Sequence, residues 1–482
     1  MVNEQKIVYT EFSRRELKWW SVSLSEIVAV GSRLEASVFN SQGRHVRAVV
    51  SSCKWKSVPL CDKDGFAVAC IGGRFKRRWL KKSDLPIYQP SSMADVYPLP
   101  DGYLSKNTRT NLETLRVHKG QILLSCSGTI GKVCYVSKTL DNQIFSHDLI
   151  RLNVNIPMDI GYIYAFLRSS VGNMLLQTNN YGAVVKHIEP EHLSGILVPN
   201  PPDKIKEKIN DLIIRSFELR DESNESIDNA TAMLIKELKL PPIDGFQVEQ
   251  FDNGADVNAY SVKLSELAGR IDGSYHLPII KAITKHLCAN ASEVTTIGDK
   301  RVSKDIILAG IFKRIYVEEG YGIPFLGGKE ISQLTPKTEK YLSRVYHTKR
   351  YEKELKVGEH NILVTDRGTI GIVAFVPKHW ESYAVSQNVL KLIPANNEIA
   401  GYLFIFLNSE YGKMLVRWQT YGSVVNMIDN NSLSVVPFPI LKNVKAQAEI
   451  NRLALYANEL RYQAYLLERE AMSVLENDVF KS

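Results

Sequence analysis

The chain has 482 residues, 44% hydrophobic and 23% charged. At about 100 to 200 residues per domain this predicts two or more globular domains and excludes a wholly disordered or fibrous chain. Its 60 Lys and Arg against 52 Asp and Glu give a formal charge of +8, a mild excess whose placement matters more than its sum. No apolar run approaches the roughly 18 residues of a membrane span, and the opening MVNEQKIVYTEFSRRELKWW lacks the apolar core of a secretion signal. The expectation is a cytoplasmic protein with no membrane partner.

In chain order, the first distinctive segment is Arg74-Phe75-Lys76-Arg77-Arg78-Trp79-Leu80-Lys81-Lys82, six basic residues in nine with two aromatics interleaved. Such density suits a phosphate backbone, because each contact releases counterions; a solvated basic face has the same composition. Arg74, Lys76, Arg77, Arg78, Lys81 and Lys82 are therefore candidate DNA contacts. Gln89, Ser91 and Ser92, after Leu85-Pro86, add donors and acceptors suited to base edges. The six cysteines contain no C-x-x-C pair and read as small buried hydrophobes rather than a zinc or disulfide framework.

The runs Gln121 to Leu124 and Lys132 to Val136 read as strands. Between them Gly128-Thr129-Ile130-Gly131-Lys132 resembles part of a phosphate-binding loop, but the first glycine and the Ser/Thr are missing, so it reads as a strand turn. A helix is predicted from Gly161 to Gln177, and Lys186 and His187 are further candidate contacts. Asn200-Pro201-Pro202-Asp203 is similar to the N/D-P-P-aromatic motif that holds a flipped base in amino-methyltransferases. Asp203 replaces the ring, so the segment reads as a helix start with Asp203 as N-cap. No segment reads as an active site, and no metal site is expected.

The chain then repeats itself. At an offset of 240 residues, Gly128 to Pro199 matches the later segment at 25 of 72 positions without a gap, far beyond chance. Upstream the match continues with small shifts: Ser21-Val22 with Ser261-Val262, Phe75-Lys76-Arg77 with Phe312-Lys313-Arg314, and Tyr103-Leu104-Ser105 with Tyr341-Leu342-Ser343. The second copy supplies its own candidate contacts, Lys313, Arg314, Lys329, Lys349 and Arg350, with Glu330 and Lys337 nearby. A shared charge motif in divergent surroundings suits two domains reading different sequences on one kind of polymer, because phosphate contacts position and base contacts specify.

Each copy ends in a long helix. Distally, apolar residues recur at Ile450, Leu453, Ala457, Leu460, Ala464, Leu467, Ala471 and Val474, the 3-4 spacing of a coiled-coil seam. The matching central positions are Ile209, Leu212, Ser216, Leu219, Ser223, Ser226, Ala230 and Met233. Small residues at alternate positions predict close approach; Ser223 and Ser226 predict a weak point at mid-length. Duplication predicts a pseudo-two-fold and an antiparallel pair, whose helices of about 35 residues would hold the domains on the order of 50 Å apart.

A duplicated, basic, strand-rich domain, each copy ending in a long helix, with paired Gly-Thr-Ile-Gly turns and Ile323-Pro324-Phe325-Leu326, resembles the specificity subunit of type I restriction-modification enzymes. The resemblance spans about Ser21 to Val479. It implies an α+β fold of two target recognition domains, 1–202 and 241–439, separated by an antiparallel pair of spacer helices, 203–240 and 440–482. It further implies a non-catalytic reader of a split, asymmetric site on double-stranded DNA that docks two methyltransferase subunits. S-adenosylmethionine, ATP and Mg are then expected on partner subunits, the restriction and translocation subunits among them, and none on this chain. The competing expectation from residues alone is a two-headed protein-binding scaffold with a coiled-coil stalk, which salt separates from the first: DNA binding weakens steeply with salt.

Overall fold

The computed structural model describes residues 21–29, 34, 38–181, 186–246, 259–267, 269–336, 340–422 and 425–481; Lys337, Gly182 and Val184-Val185 lie outside them. The fold is α+β, and the two copies share one topology. Each domain closes on itself through a short antiparallel pair, Ser57–Pro59 with Leu197–Pro199 and Glu293–Thr296 with Pro437–Ile440. Within the first domain a larger sheet runs in the order Ala67–Ile71, Leu149–Val154, Ile122–Ser125, Val133–Tyr135, and a smaller one in the order Trp79–Leu80, Gly102–Leu104, Pro86–Tyr88, Ile144–Phe145. The second domain repeats both, with Ser303–Ile307, Val389–Pro394, Ile362–Thr365, Val373–Phe375 and with Tyr316–Val317, Tyr341–Ser343, Gly322–Leu326, Ala384–Val385.

The apolar runs seen in the sequence form the strands buried on both faces: every residue of Ile122–Ser125 and of Ile362–Thr365 is buried. The Gly-Thr-Ile-Gly segments are the turns that follow. Ser125 Oγ donates to the Thr129 carbonyl at 2.6 Å and accepts from the Lys132 amide at 3.0 Å, and Gly128 and Gly131 have φ of 68° and 92°. Cys126 and Cys134 are buried as expected, but Cys70 and Cys288 are exposed, so the cysteines are not uniformly core residues.

Two further expectations are corrected. The helix predicted from Gly161 to Gln177 is two helices, Ile160–Arg168 and Ser170–Thr178, because Ser169 turns extended and its hydroxyl caps the Gly172 amide. The backbones cross so closely that a Cβ on Gly172 would lie 2.0 Å from the Phe166 carbonyl oxygen. Ser409 and Gly412 repeat the device. Asp203 is not the N-cap, which is Pro202; Asp203 stands inside the first turn and pairs instead with Lys206 at 3.1 Å, whose ammonium also meets buried Asp159.

The central helix runs Asp203–Glu237 and the distal helix Val444–Leu475. They are antiparallel: Ser216 donates to the Ala464 carbonyl, Tyr456 to Glu222, Ser226 to the Leu453 carbonyl, and Asn443 to Glu237, so residue numbers rise along one helix as they fall along the other. Ser216, Ser223, Ala230, Ala457, Ala464 and Ala471 are fully buried, as are Ile209 and Ile450; Leu219 and Leu460 lie at mid-length, while Leu212, Leu453 and Leu467 are half-buried at the edges of the seam. Each helix also joins both domain cores. Ile209, Ile213 and Phe217 pack in the first domain and Ile227, Ala230 and Leu234 in the second, while Ala471, Val474 and Leu475 of the distal helix return to the first.

The domains are not held apart by the helices alone. Over the middle of the pair, Asp95 and Gln333 form an antiparallel bridge, the Val96 amide donates to the Ser332 carbonyl at 2.8 Å, and Ser332 Oγ donates to Asp95 at 2.6 Å. Val96 and Leu334 then cover Leu219 and Leu460. Loops without periodicity carry this contact, so the spacing of the helices alone predicts two domains held apart.

Candidate nucleic-acid interface

The basic strip enters and forms an edge strand of the small sheet. Among the described residues Trp79–Leu80 pairs only with Gly102–Leu104, which makes it the edge of the sheet. Phe75 turns inward onto Ile87, Leu104, Leu115 and Ile144, which leaves Arg74 and Lys76 outward. Arg78, Lys81 and Lys82 are exposed, and Trp79 shows 49% of its surface. Arg77 is half-buried, 3.8 Å from Asp148 and over the Trp79 ring. Lys82 reaches Asp244 at 3.3 Å, a fully solvated pair of little energetic weight. In the second domain Phe312 is anchored in the same way and Lys313 is exposed; Arg314 lies across the Phe325 ring, half-buried.

Gln89, Ser91 and Ser92 follow the inner strand Pro86–Tyr88. The Gln89 amide donates to Asp101 at 2.8 Å, Ser92 donates to the Gln89 carbonyl, and the Lys132 ammonium donates to the Ser91 carbonyl at 3.3 Å. The counterpart loop exposes Lys329, whose carbonyl accepts from Ser332. Lys349 is exposed on the helix Arg344–Arg350, whereas Arg350 is engaged, donating to Glu354 at 2.7 Å and lying over Phe312. Lys186 is exposed; His187 exchanges backbone hydrogen bonds with Tyr181.

Arg77 and Arg74 of the strip lie beside residues 146–148, which the sequence reading did not single out, while the segment before the Gly-Thr-Ile-Gly turn is joined to the Tyr181–His187 bridge through Ser127. The Gly128 amide donates to the Lys186 carbonyl, and the Ser146 amide to the Tyr88 carbonyl beside Gln89. Burial, with Arg77 and Arg74 close by, holds the His147 imidazole below its ordinary range against the pull of Asp148. In the second domain the same place holds Asp366, fully buried and bound by Arg367 at 2.7 and 2.9 Å, beside residues 386–388. Burial pushes the Asp366 carboxyl up despite Arg367. Setting the copies side by side does reveal the signal: Ser146 matches Ser386, and the two residues after it differ. Among the described residues no group of His, Cys, Asp and Glu is arranged to hold a metal, and no helix is long and apolar enough to cross a membrane.

The family model for the type I restriction modification DNA specificity domain matches the chain twice, at residues 72–229 and 306–452, together well over half its length. No individual curated protein sequence matches. Among solved structures the chain is similar to the type I restriction-modification S subunit from M. genitalium, at 12% identity and TM-score 0.30, over 88% of this chain and 93% of that one. It is also similar to the HsdS subunit from Thermoanaerobacter tengcongensis, at 14% identity and TM-score 0.26, over 88% and 95%.

Proposed function

Because the chain belongs to the type I restriction modification DNA specificity family, we propose that each of its domains reads one half of a split, asymmetric site on double-stranded DNA. One observation carries this reading: two copies of one scaffold, fixed to a common antiparallel helix pair, present edge strands that each follow the same Phe-Lys-Arg motif, with unlike side chains beside them. The strips position the domains on phosphates, and the unlike residues make the halves of the site differ. In this reading the outer faces of the helices dock two methyltransferase subunits. Those subunits carry S-adenosylmethionine and the adenine chemistry, the restriction and translocation subunits carry ATP and Mg, and this chain turns nothing over itself.

The test is reconstitution of the full chain with methyltransferase subunits, followed by mapping of adenine methylation on genomic DNA. A two-part motif of fixed spacing is expected, with binding that weakens steeply as salt rises. A continuous motif, or salt-insensitive binding, overturns the reading. So does methyl transfer by the chain alone that survives repurification.

A further inference from the structure

The two copies part company directly after the strand that pairs with each edge strand. Gly102–Leu104 and Tyr341–Ser343 hold the same place in the small sheets, and Leu115 and Leu355 are equivalent anchors, both completely buried. Two residues after each anchor a backbone amide, Val117 or Val357, donates to the returning chain. Between strand and anchor the first copy is a loop ending in the single turn Leu112–Leu115, whereas the second is helical throughout, Arg344–Arg350 continuing into the wider turn Tyr351–Leu355.

One face of this helix is fixed on the basic segment before the edge strand. His347 accepts from the Ile315 amide at 3.0 Å and packs edge-on against Phe312, Arg350 donates to the Gly310 carbonyl at 3.2 Å, and Tyr351 and Leu355 are buried. The opposite face is open: Val345 is 86% exposed and Tyr346 70%, on one stripe with Lys349. Arg344, Thr348, Lys353 and, on the segment beneath, Lys313 are exposed too, and Ile311 is 83% exposed. The helix's ion pairs are Arg350 with Glu354 and Lys356 with Glu352, so among the described residues Arg344, Lys349 and Lys353 keep their charges unpaired. The acidic pair Glu318-Glu319 follows the other end of the edge strand, away from the helix. Bulky apolar groups exposed inside a rim of charge mark a binding surface, and a rim of one sign selects a polyanion. A helix about 10 to 12 Å across fits a major groove about 12 Å wide.

We propose that helix 344–355 is the element with which the second domain reads its half of the DNA site from the major groove, an assignment that rests on the bipartite reading above. Lys313, Lys349 and Lys353 take phosphates on the groove walls, and Val345 with the Tyr346 ring covers the C5-methyl group of a thymine. The second half-site therefore holds an A·T pair at the position the helix faces. The first domain sets the exposed polar side chains of Lys106, Asn107 and Arg109 in the same place, so the two halves differ.

The experiment uses the full chain in complex with methyltransferase subunits and reads the methylated motif and the DNA affinity. V345A/Y346A, which alters only side chains in solvent, unfolds at the wild-type temperature and loses about 5- to 150-fold discrimination at one A·T position, leaving the other half-site and the spacing unchanged. Replacing that thymine by deoxyuridine, which lacks the methyl group, weakens wild-type binding about 4-fold and leaves the variant's binding unchanged. K349A/K353A weakens binding on all sequences alike and lowers the slope of log affinity against log salt by about 2. If V345A/Y346A keeps full discrimination, or only sheds methyltransferase subunits from the complex, or if deoxyuridine leaves wild-type binding intact, the face is not a base reader and the assignment is wrong. A wild-type complex that yields no two-part motif overturns the parent reading, and this assignment with it.

Discussion

Glu468 is the carboxylate on which both helices and both domains converge. It receives Arg220 from the central helix, Arg168 and Tyr164 from the first domain at 3.4 Å, and Thr335 from the second at 3.4 Å, all within a site that leaves it 5% exposed. Burial alone pushes such a carboxyl up, but Arg220 and Arg168 outweigh it and hold Glu468 down at about 2. Replacing one partner of a buried pair strands the others, so Glu468→Gln should cost about 3 to 5 kcal/mol in denaturant unfolding. The sign with pH follows: the folded value lies below the ordinary 4.5, so the contribution is complete above pH 4.5 and shrinks as the pH falls toward 2. The variant's stability should therefore fall less steeply across that window. The pseudo-two-fold partner of Arg220 is Arg461, which is buried and among the described residues meets only Asn224, at 3.5 Å, because Ile227 stands where a second glutamate would be needed. The duplication is kept in sheet topology and broken in charge.

At the level of the helix pair, Ser216 and Ser226 are not a weakness in the seam, whereas Ser223 is. Ser216 and Ser226 donate to carbonyls of the opposite helix at 2.8 and 2.9 Å, which only a short side chain between closely spaced backbones allows. Ser223 is fully buried but its hydroxyl has no partner among the described residues. Ser223→Ala should therefore raise stability by about 1 kcal/mol, whereas Ser223→Leu, which restores an apolar seam on paper, should lower it by about 1 to 3 kcal/mol through overpacking. Equilibrium unfolding of the two variants separates these signs. The seam was legible because its period is fixed by the helix, and the repeat because whole strands recur at one offset. The break at Ser169 was not read, since a serine three residues before Gly172 signals a cap only when a helix is already known to end there. The segment at 146–148 was illegible for a related reason: nothing in Ser-His-Asp marks it until Arg77 of the strip is seen to lie beside Asp148.

For the molecule as a whole, the spacing of the domains has two determinants, the length of the helices and the bridge from Asp95 and Val96 to Ser332 and Gln333. The distal helix and the turn after it add a third coupling. Ala471, Val474, Leu475 and Val479 complete the apolar core of the first domain, and the Asp478 carbonyl accepts from Trp55 at 3.3 Å. The half that leaves the ribosome first thus cannot close its interior until residues 471–479 have been translated, and the nascent first half waits with a bare apolar strip that invites chaperones. A chain ending at residue 470 should leave that half open to protease while the second, whose own helix segments are already present, resists digestion.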